Sequence, residues 1–193
     1  MTQRQRFDVL RQFPGGFELR RYAAHLVAEV EVESSFADAG SRAFRVLAAF
    51  ISGRNSTRNK VAMTAPVVQE PSAPIAMTSP VVQEPGLESG RHVVAFVMPE
   101  EFTEETLPTP VDPRVRVRSI PEQVAAAKSF NGRWSERICQ ERLAELRGAV
   151  HDAGLEVVGP PRFARFDPPW TPWFLRHHEV VLPVSTDPPS ERS

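Results

Sequence analysis

The chain of 193 residues carries the same order of structural patterns twice, and this repetition constrains the fold more than any other feature of the sequence. In each half, two segments with strand-like patterns precede a segment of helical period, and two further strand-like segments follow. Strands joined by short loops pair antiparallel, because a short loop reverses the direction of the chain. The sequence therefore predicts one α+β domain made of two strand–strand–helix–strand–strand repeats with internal pseudo-symmetry.

The first half contains the clearest strand and the clearest helix. In HLVAEVEVE (25–33), apolar residues alternate with glutamates, which is the period of a half-buried strand. Apolar residues then recur at helical spacing over 36–52, after Ser35 at the N-cap position and before Gly53 as a C-terminal stop. Two further strands are predicted at 17–22 and 92–99.

The second half repeats this order. A strand with alternating valines and arginines around Val115 is followed by a second strand in VAAAKSF (124–130). A helix is predicted to begin near Ser135 and to end near Gly154, with Cys139 on its apolar stripe. Two more strands are predicted within 155–166 and 178–184.

A tandem duplication follows the first helix. VAMTAPVVQEP (61–71) and IAMTSPVVQEP (75–85) differ at only two positions. The proline after each Met-Thr pair removes a backbone donor, so both segments are predicted as interrupted or edge strands. The thioethers of Met63 and Met77 are expected to fill gaps in the core, with ligand contact as the alternative for Met63.

Composition excludes several classes of protein. The formal net charge of -1 argues against binding of nucleic acid, which demands a basic surplus. A single cysteine excludes an intramolecular disulfide and a multi-cysteine zinc site. No apolar run has the length of a signal peptide or a membrane span, so a cytoplasmic location is expected. The sequence does not indicate the oligomeric state.

Two unusual motifs lie near the C-terminus. DPPWTPWF (167–174) concentrates aromatic residues and prolines in one loop, which suits either the wall of an apolar cavity or a plug at the end of a barrel. His177 and His178 follow at the start of a strand. Successive strand residues face opposite sides of the sheet, so these two histidines cannot hold one metal ion together from the same face.

Motifs distributed along nearly the whole chain resemble those of the SOUL/haem-binding protein family, in the layout of its bacterial branch. The motifs are FELRRY (17–22), KVAMTAPV (60–67), FVMP (96–99), TLPTPVDPRV (106–115), FNGRWSE (130–136) and DPPWTPWFLRHHEV (167–180). The resemblance implies a distorted antiparallel β-barrel or sheet flanked by two helices, which agrees with the repeats. One such domain is predicted over residues 1–186, with a polar tail at 187–193.

The resemblance also implies a small-molecule partner, haem or another tetrapyrrole, in a shallow apolar cleft between the first helix and nearby loops. Arg54, Lys60 and Arg176 are chemically suited to pair with the two propionates. The residues expected to contact the ligand are Ala43, Leu47, Phe50, Ile51, Arg54, Lys60, Met63 and Arg176.

One departure from the family concerns the metal. Arg21 stands where some members are reported to carry an axial histidine, and a protonated guanidinium cannot ligate iron. His177 or His178 is the remaining candidate axial ligand. Binding without a protein ligand to the iron, through apolar contact and propionate pairing, is the favoured alternative.

Three functions follow from the residues and the resemblance. The leading prediction is a soluble protein that binds, buffers or carries a tetrapyrrole. The second is an enzyme, which either removes iron from haem or hydrolyses a reactive small molecule in the manner of gyrase-inhibitor-like domains. The third is a ligand-sensing or protein-interaction module. No acid, base or nucleophile set stands out in the sequence, so no catalytic residue is predicted.

Overall fold

A computed structural model describes residues 3–62, 64–71, 90–167 and 171–186. Met63, Met77, the second copy of the duplication and the predicted tail at 187–193 lie outside these ranges. Their predicted roles therefore stay predictions.

The elements follow the predicted order, with two helices among twelve strands of the described residues. In chain order they are β1 (Gln3–Arg4), β2 (Phe7–Phe13), β3 (Phe17–Tyr22), β4 (His25–Glu33), α1 (Phe36–Ile51), β5 (Thr64–Ala65), β6 (Val67–Pro71), β7 (Arg91–Val97), β8 (Arg116–Ile120), β9 (Gln123–Asn131), α2 (Glu136–Asp152), β10 (Glu156–Val157), β11 (Arg162–Arg165) and β12 (His177–Ser185), with a short 3-10 helix at Trp173–Leu175 before β12.

Ten strands form one open, antiparallel sheet in the order β2-β3-β9-β12-β11-β6-β7-β4-β8, with β10 beside β12. From β3 to β8 this order is symmetric about the central β11–β6 pair. The first repeat supplies β3, β4, β6 and β7, and the second supplies β8, β9, β11 and β12. The first strand of each repeat lies in the other half of the sheet: β3 pairs with β9 of the second repeat, and β8 pairs with β4 of the first. The predicted α+β fold with two pseudo-repeats is confirmed.

Both helices pack on one face of the sheet, close to their predicted bounds. Ser35 caps α1 by accepting a hydrogen bond at 3.3 Å from the backbone N–H of Asp38, and Ser135 caps α2 in the same way. The apolar stripe of α1 packs on β4 and β7, whereas that of α2 packs on β9 and β12. These two apolar clusters form most of the core.

The other face of the sheet carries no helix but is partly buried. Tyr22, Ala125, Ala127 and Val181 form a small buried cluster there, and Arg20 and Glu179 are also buried on that side. The N-terminal segment contributes to this face, because β1 pairs with β5 and the backbone N–H of Gln5 donates to Ala65 O at 2.8 Å.

Two strand predictions differ from the structure. Strand β2 was not predicted, since its residues are mostly exposed and do not alternate. Pro66 does interrupt the duplicated segment, between β5 and β6, but β6 lies at the centre of the sheet rather than at an edge. The edge prediction was wrong because residues 67–70 still have backbone N–H groups with which to pair on both sides. Within the described residues, no helix is long and apolar enough to cross a membrane.

Candidate functional site

The side chain of Arg165 is half-buried between the two helices, on the helical face of the sheet. Its guanidinium carbon lies 4.9 Å from the centre of the Trp134 ring. Among the described residues, no carboxylate lies within ion-pair distance of it. Burial lowers the pKa of Arg165, and the nearby charge of Arg176 lowers it further. A desolvated guanidinium without a carboxylate partner favours the binding of an anion.

The chain places Arg165 here through strand register. Phe163 and Arg165 are two residues apart on β11, so they face the same side, and Phe163 is fully buried under the helices. Gly40 of α1 provides the space, since a Cβ at that position would come within 2.8 Å of the Arg165 Nη1 atom. We refer to Arg165, Trp134, His178, Arg176 and Gly40 as the Arg165 cluster.

Arg176 enters the cluster from the loop before β12. Its backbone oxygen accepts a hydrogen bond from Gly132 N at 3.2 Å, and its Nε donates to Thr171 O at 2.7 Å. The aromatic loop continues this surface: Trp173 is 51 % exposed, and its ring lies 5.1 Å from the guanidinium carbon of Arg133. Cationic groups and exposed aromatic rings therefore lie side by side at this end of the molecule.

His178 and Trp134 contribute buried polar atoms that lack partners. The His178 side chain is 1 % exposed, and Nε2 lies 3.1 Å from Gly132 O, so Nε2 carries the proton and donates. Nδ1 of His178 and Nε1 of Trp134 have no hydrogen-bond partner among the residues that the structure describes. Burial is the main cause that lowers the pKa of His178, to about 4, so this imidazole is neutral at pH 7.

His177 lies on the opposite face of the sheet, as the strand alternation predicts. Its Nε2 atom is 3.4 Å from Glu179 Oε1, and its ring packs 5.0 Å from Phe166. The two histidines therefore do not share a site. In the described conformation the unprotonated nitrogen of His178 is enclosed by protein, so ligation of iron by His178 would require the cluster to open.

The helix residues expected to contact a ligand are instead part of the hydrophobic core. Ala43, Leu47, Phe50 and Ile51 are all buried and pack with residues of β4 and β7. Contact with a ligand in the described conformation is therefore limited for these four. The outer surface of α1 exposes Phe44 instead, which is 40 % exposed and packs 5.6 Å from Phe96.

Arg54 and Lys60 are exposed and lie beyond the C-terminal end of α1. Arg176 lies near the other end, because Trp134, two residues after Gly132, stacks on Phe36 at 5.4 Å. Helix α1 spans about 22 Å between these ends. The structure thus does not bring Arg176 together with the other two predicted cations, and Met63 lies outside the described residues.

The described residues contain no group of three or more histidine, cysteine or acidic side chains that could hold a metal ion. Cys139 is buried on α2, and burial raises its pKa to about 12, so its thiol is protonated at pH 7. This agrees with the prediction of a structural cysteine.

Sequence reasoning missed Arg165 and Trp134. A signal was present in RFAR (162–165), where a charged residue shares the strand face of Phe163. A charged residue at a core-facing position is rare unless it has a partner or a function. Trp134 lies in the FNGRWSE motif, but nothing in the sequence places it beside β11.

The comparison with family models gives the deciding observation. The model of the SOUL heme-binding protein matches residues 2–183. The chain belongs to the SOUL family. This confirms the resemblance, and the match extends over both repeats and the Arg165 cluster. No curated protein sequence matches the chain.

Solved structures share the fold of this SOUL family member at low sequence identity. The C-terminal domain of EcmrR superposes with a TM-score of 0.64 at 13% identity, over 88% of this chain and 96% of that domain. A hydrolase from Listeria innocua gives a TM-score of 0.58 at 13% identity, over 88% of this chain and 92% of the other. At this identity the similarity concerns the fold alone.

Proposed function

We propose that this protein binds haem or a related tetrapyrrole at the Arg165 cluster and buffers or carries it. The observation on which the proposal rests is the half-buried Arg165 guanidinium, which lies on an indole ring and has no carboxylate partner among the described residues. Membership of a haem-binding family supplies the ligand class.

The residues present fit the chemistry of such a ligand. Arg165 and Arg176 offer two cations on one side of the molecule, and each propionate gains a charge-assisted hydrogen bond from a guanidinium. Trp134 and Trp173 offer aromatic surface for an apolar macrocycle. A bound tetrapyrrole would displace water from these groups. The lower local dielectric constant would then strengthen the attraction between each propionate and its arginine.

The iron is proposed to have no ligand from the protein. His178 is neutral but enclosed, and His177 is engaged near Glu179 on the other face of the sheet. The protein's part is then binding and exclusion of water, and the bound group itself supplies any redox chemistry.

Titration of the purified protein with hemin, followed through the Soret band, tests the proposal. We expect saturable binding, weakened by about 10-fold in Arg165→Leu and similarly in Arg176→Leu, because each change removes one charge-assisted hydrogen bond. His177→Ala and His178→Ala should leave the spectrum broad and high-spin. Wild-type affinity in both arginine variants would contradict the proposed site.

Lys60→Ala is the matched variant for the site predicted at the other end of α1. Lys60 and Arg54 would hold the propionates if the family-implied cleft lay there, and Lys60→Ala would then weaken binding by about 10-fold. With the ligand at the Arg165 cluster, the affinity should be unchanged.

The same titration distinguishes an enzyme that removes iron from a protein that only carries the ligand. Removal of iron would release fluorescent porphyrin and free iron with time, whereas a carrier leaves the bound hemin intact. The sheet and helices shared with a hydrolase from Listeria innocua concern the fold and do not favour either outcome.

A further inference from the structure

A pocket lies on the helix-free face of the sheet, on the opposite side from the Arg165 cluster. It is partly open to solvent, and the space inside it that the centre of a water molecule can occupy is about 20 Å³. Its walls are mainly apolar, and the residues that matter here are Phe7, Tyr22, Val68, Arg162, Ala164 and Val181. None of the residues that form the Arg165 cluster lines it.

Arg162 has a buried donor without an acceptor in this pocket. Its Nε atom is buried and has no hydrogen-bond partner in the described part of the chain. The guanidinium carbon lies 5.7 Å from the centre of the Tyr22 ring. Burial lowers the pKa of Arg162, which means that the protein environment stabilises its charge less than water does.

Two other arginines of this face are differently placed. Arg20 pairs with Glu179 at 2.9 Å, and Arg118 pairs with Glu29 at 2.8 Å. Among the described residues, Arg162 has no ion pair within 4.0 Å. Its nearest acidic neighbour by register is Glu70, since Phe163 pairs with Gln69 on the adjacent strand.

Glu70 does not satisfy Arg162, because the two side chains are not in ion-pair contact. Glu70 instead lies 3.9 Å from Arg118, and burial raises its pKa. Its charge therefore offsets that of Arg162 from a distance without accepting the hydrogen bond of Nε. Among the described residues, Nε of Arg162 therefore has no acceptor oxygen within hydrogen-bond distance.

Tyr22 supplies a second donor beside Arg162. Its hydroxyl oxygen accepts a hydrogen bond at 3.4 Å from Nη1 of Arg20, which leaves the O–H proton available to an acceptor. Both oxygens of Glu179 are already engaged, one by Arg20 and the other by Ser129 at 3.0 Å. Arg162 and Tyr22 thus present donors to this pocket, whose lining residues also include Gln5 and the engaged carboxylate of Glu179.

We propose that this pocket binds a small carboxylate with an apolar body, with its oxygens on Arg162 and Tyr22 and its body against Val68, Ala164 and Val181. Two donors match the two oxygens of one carboxylate, and a charged acceptor forms the stronger hydrogen bond with a guanidinium. The apolar walls favour a compact hydrocarbon body over a free inorganic anion.

Sodium benzoate is a suitable probe, with benzamide as a neutral molecule of the same size. Titration of the 15N-labelled protein should shift the Arg162 Nε–Hε resonance and nearby backbone amides of β11 and β12 saturably. We expect benzamide to bind about 10-fold more weakly than benzoate, because it lacks the charge. Equal binding of the two would overturn the assignment of a carboxylate.

Three variants test the location of this site. Arg162→Leu should abolish the saturable shifts of the β12 amides, whereas Arg91→Leu, a change at an exposed arginine of β7, should retain them. Val68→Phe fills the pocket while keeping Arg162, and it should also abolish the shifts without altering hemin binding. Benzoate binding that survives in either Arg162→Leu or Val68→Phe, or its absence from the wild type, would overturn the proposal.

Discussion

The guanidinium of Arg165 lies against Gly40, where a Cβ would come within 2.8 Å of Nη1. Helix α1 thus admits a charged group from β11 at a position where the helix has no side chain. A glycine inside a helix costs about 1 kcal/mol relative to alanine, so this contact is made at the expense of local helix stability.

Gly40→Ala should separate ligand binding from stability. The change improves helix propensity by about 1 kcal/mol but displaces the flexible end of Arg165, so we expect the free energy of unfolding to change by less than about 1 kcal/mol. Hemin affinity should fall by about 10-fold as the guanidinium moves. Urea denaturation and hemin titration measure the two effects.

Gly148→Ala is the matched control in α2. A Cβ there meets nothing within 4 Å, so the variant should be more stable by about 1 kcal/mol and should bind hemin like the wild type. Unchanged hemin affinity in Gly40→Ala would show that the position of Arg165 does not matter for the ligand.

His178 should make stability depend on pH between about 6.5 and 4. Its folded pKa is lowered to about 4, so the unfolded state binds more protons in this window and stability falls as the pH falls. The loss is complete below pH 4 and amounts to about 3 kcal/mol at most. Urea unfolding at pH 7 and pH 4.5 should show a smaller difference for His178→Gln than for the wild type.

His151→Gln serves as the control for this pH dependence, because the side chain of His151 is 90% exposed. It should follow the wild-type curve throughout. An equal pH response in His178→Gln and the wild type would refute the assignment to His178.

The buried ion pair of Arg20 and Glu179 should be costly to break from one side. Both side chains are less than a tenth exposed and lie 2.9 Å apart, so Glu179→Gln leaves the buried guanidinium with the more exposed Glu18, at 2.8 Å, as its remaining counter-charge. We expect a loss of about 3 kcal/mol in the free energy of unfolding, at the low end for a broken buried pair because Glu18 still pairs with Arg20. Chemical denaturation provides the measurement.

Two further variants test whether the loss of stability comes from a buried charge that lacks its partner. The double change Arg20→Leu with Glu179→Leu should recover most of the stability, because the two buried charges are removed together and the remaining Glu18 is partly exposed. Arg6→Ala removes the exposed pair with Glu100 and should cost less than about 1 kcal/mol. A small loss in Glu179→Gln would mean that the remaining pair with Glu18 is sufficient for Arg20.

Leu47→Ala should report on the core rather than on the ligand. Leu47 is fully buried under α1, so truncation leaves a cavity and should cost about 2–5 kcal/mol. Phe44→Ala, at an exposed position of the same helix, should cost much less. Thermal unfolding measures the stability of both variants, and hemin titration, in conditions where both are folded, measures their affinity. A loss of hemin affinity in Leu47→Ala but not in Phe44→Ala would support the ligand cleft predicted from the sequence.

Local patterns were sufficient to predict both helices and most of the central strands. The alternation in 25–33 and the capped apolar stripe after Ser35 are properties of neighbouring residues, and they fix period and ends without tertiary information. Strand β2 escaped prediction because it lies at the edge of the sheet, where burial does not impose alternation.

The site was harder to predict because it depends on contacts between distant segments. Arg165 meets Gly40 and Trp134 only after β11 has paired at the centre of the sheet, and no local period encodes that meeting. The residues chosen on α1 illustrate the converse: Ala43 and Phe50 share a stripe that suits a ligand cleft and a core equally well. Burial in the folded chain is what separates these two uses.

The exchange of first strands makes each half of the chain incomplete by itself. A fragment ending in the loop after β7 would keep β3 without its neighbour β9, and the remaining fragment would keep β8 without β4. Each would present an unpaired strand edge that only the other fragment matches in sequence and register. We therefore expect two fragments divided at this loop to reassociate as the two subunits of a heterodimer, through the β11–β6 pair and both exchanged strands.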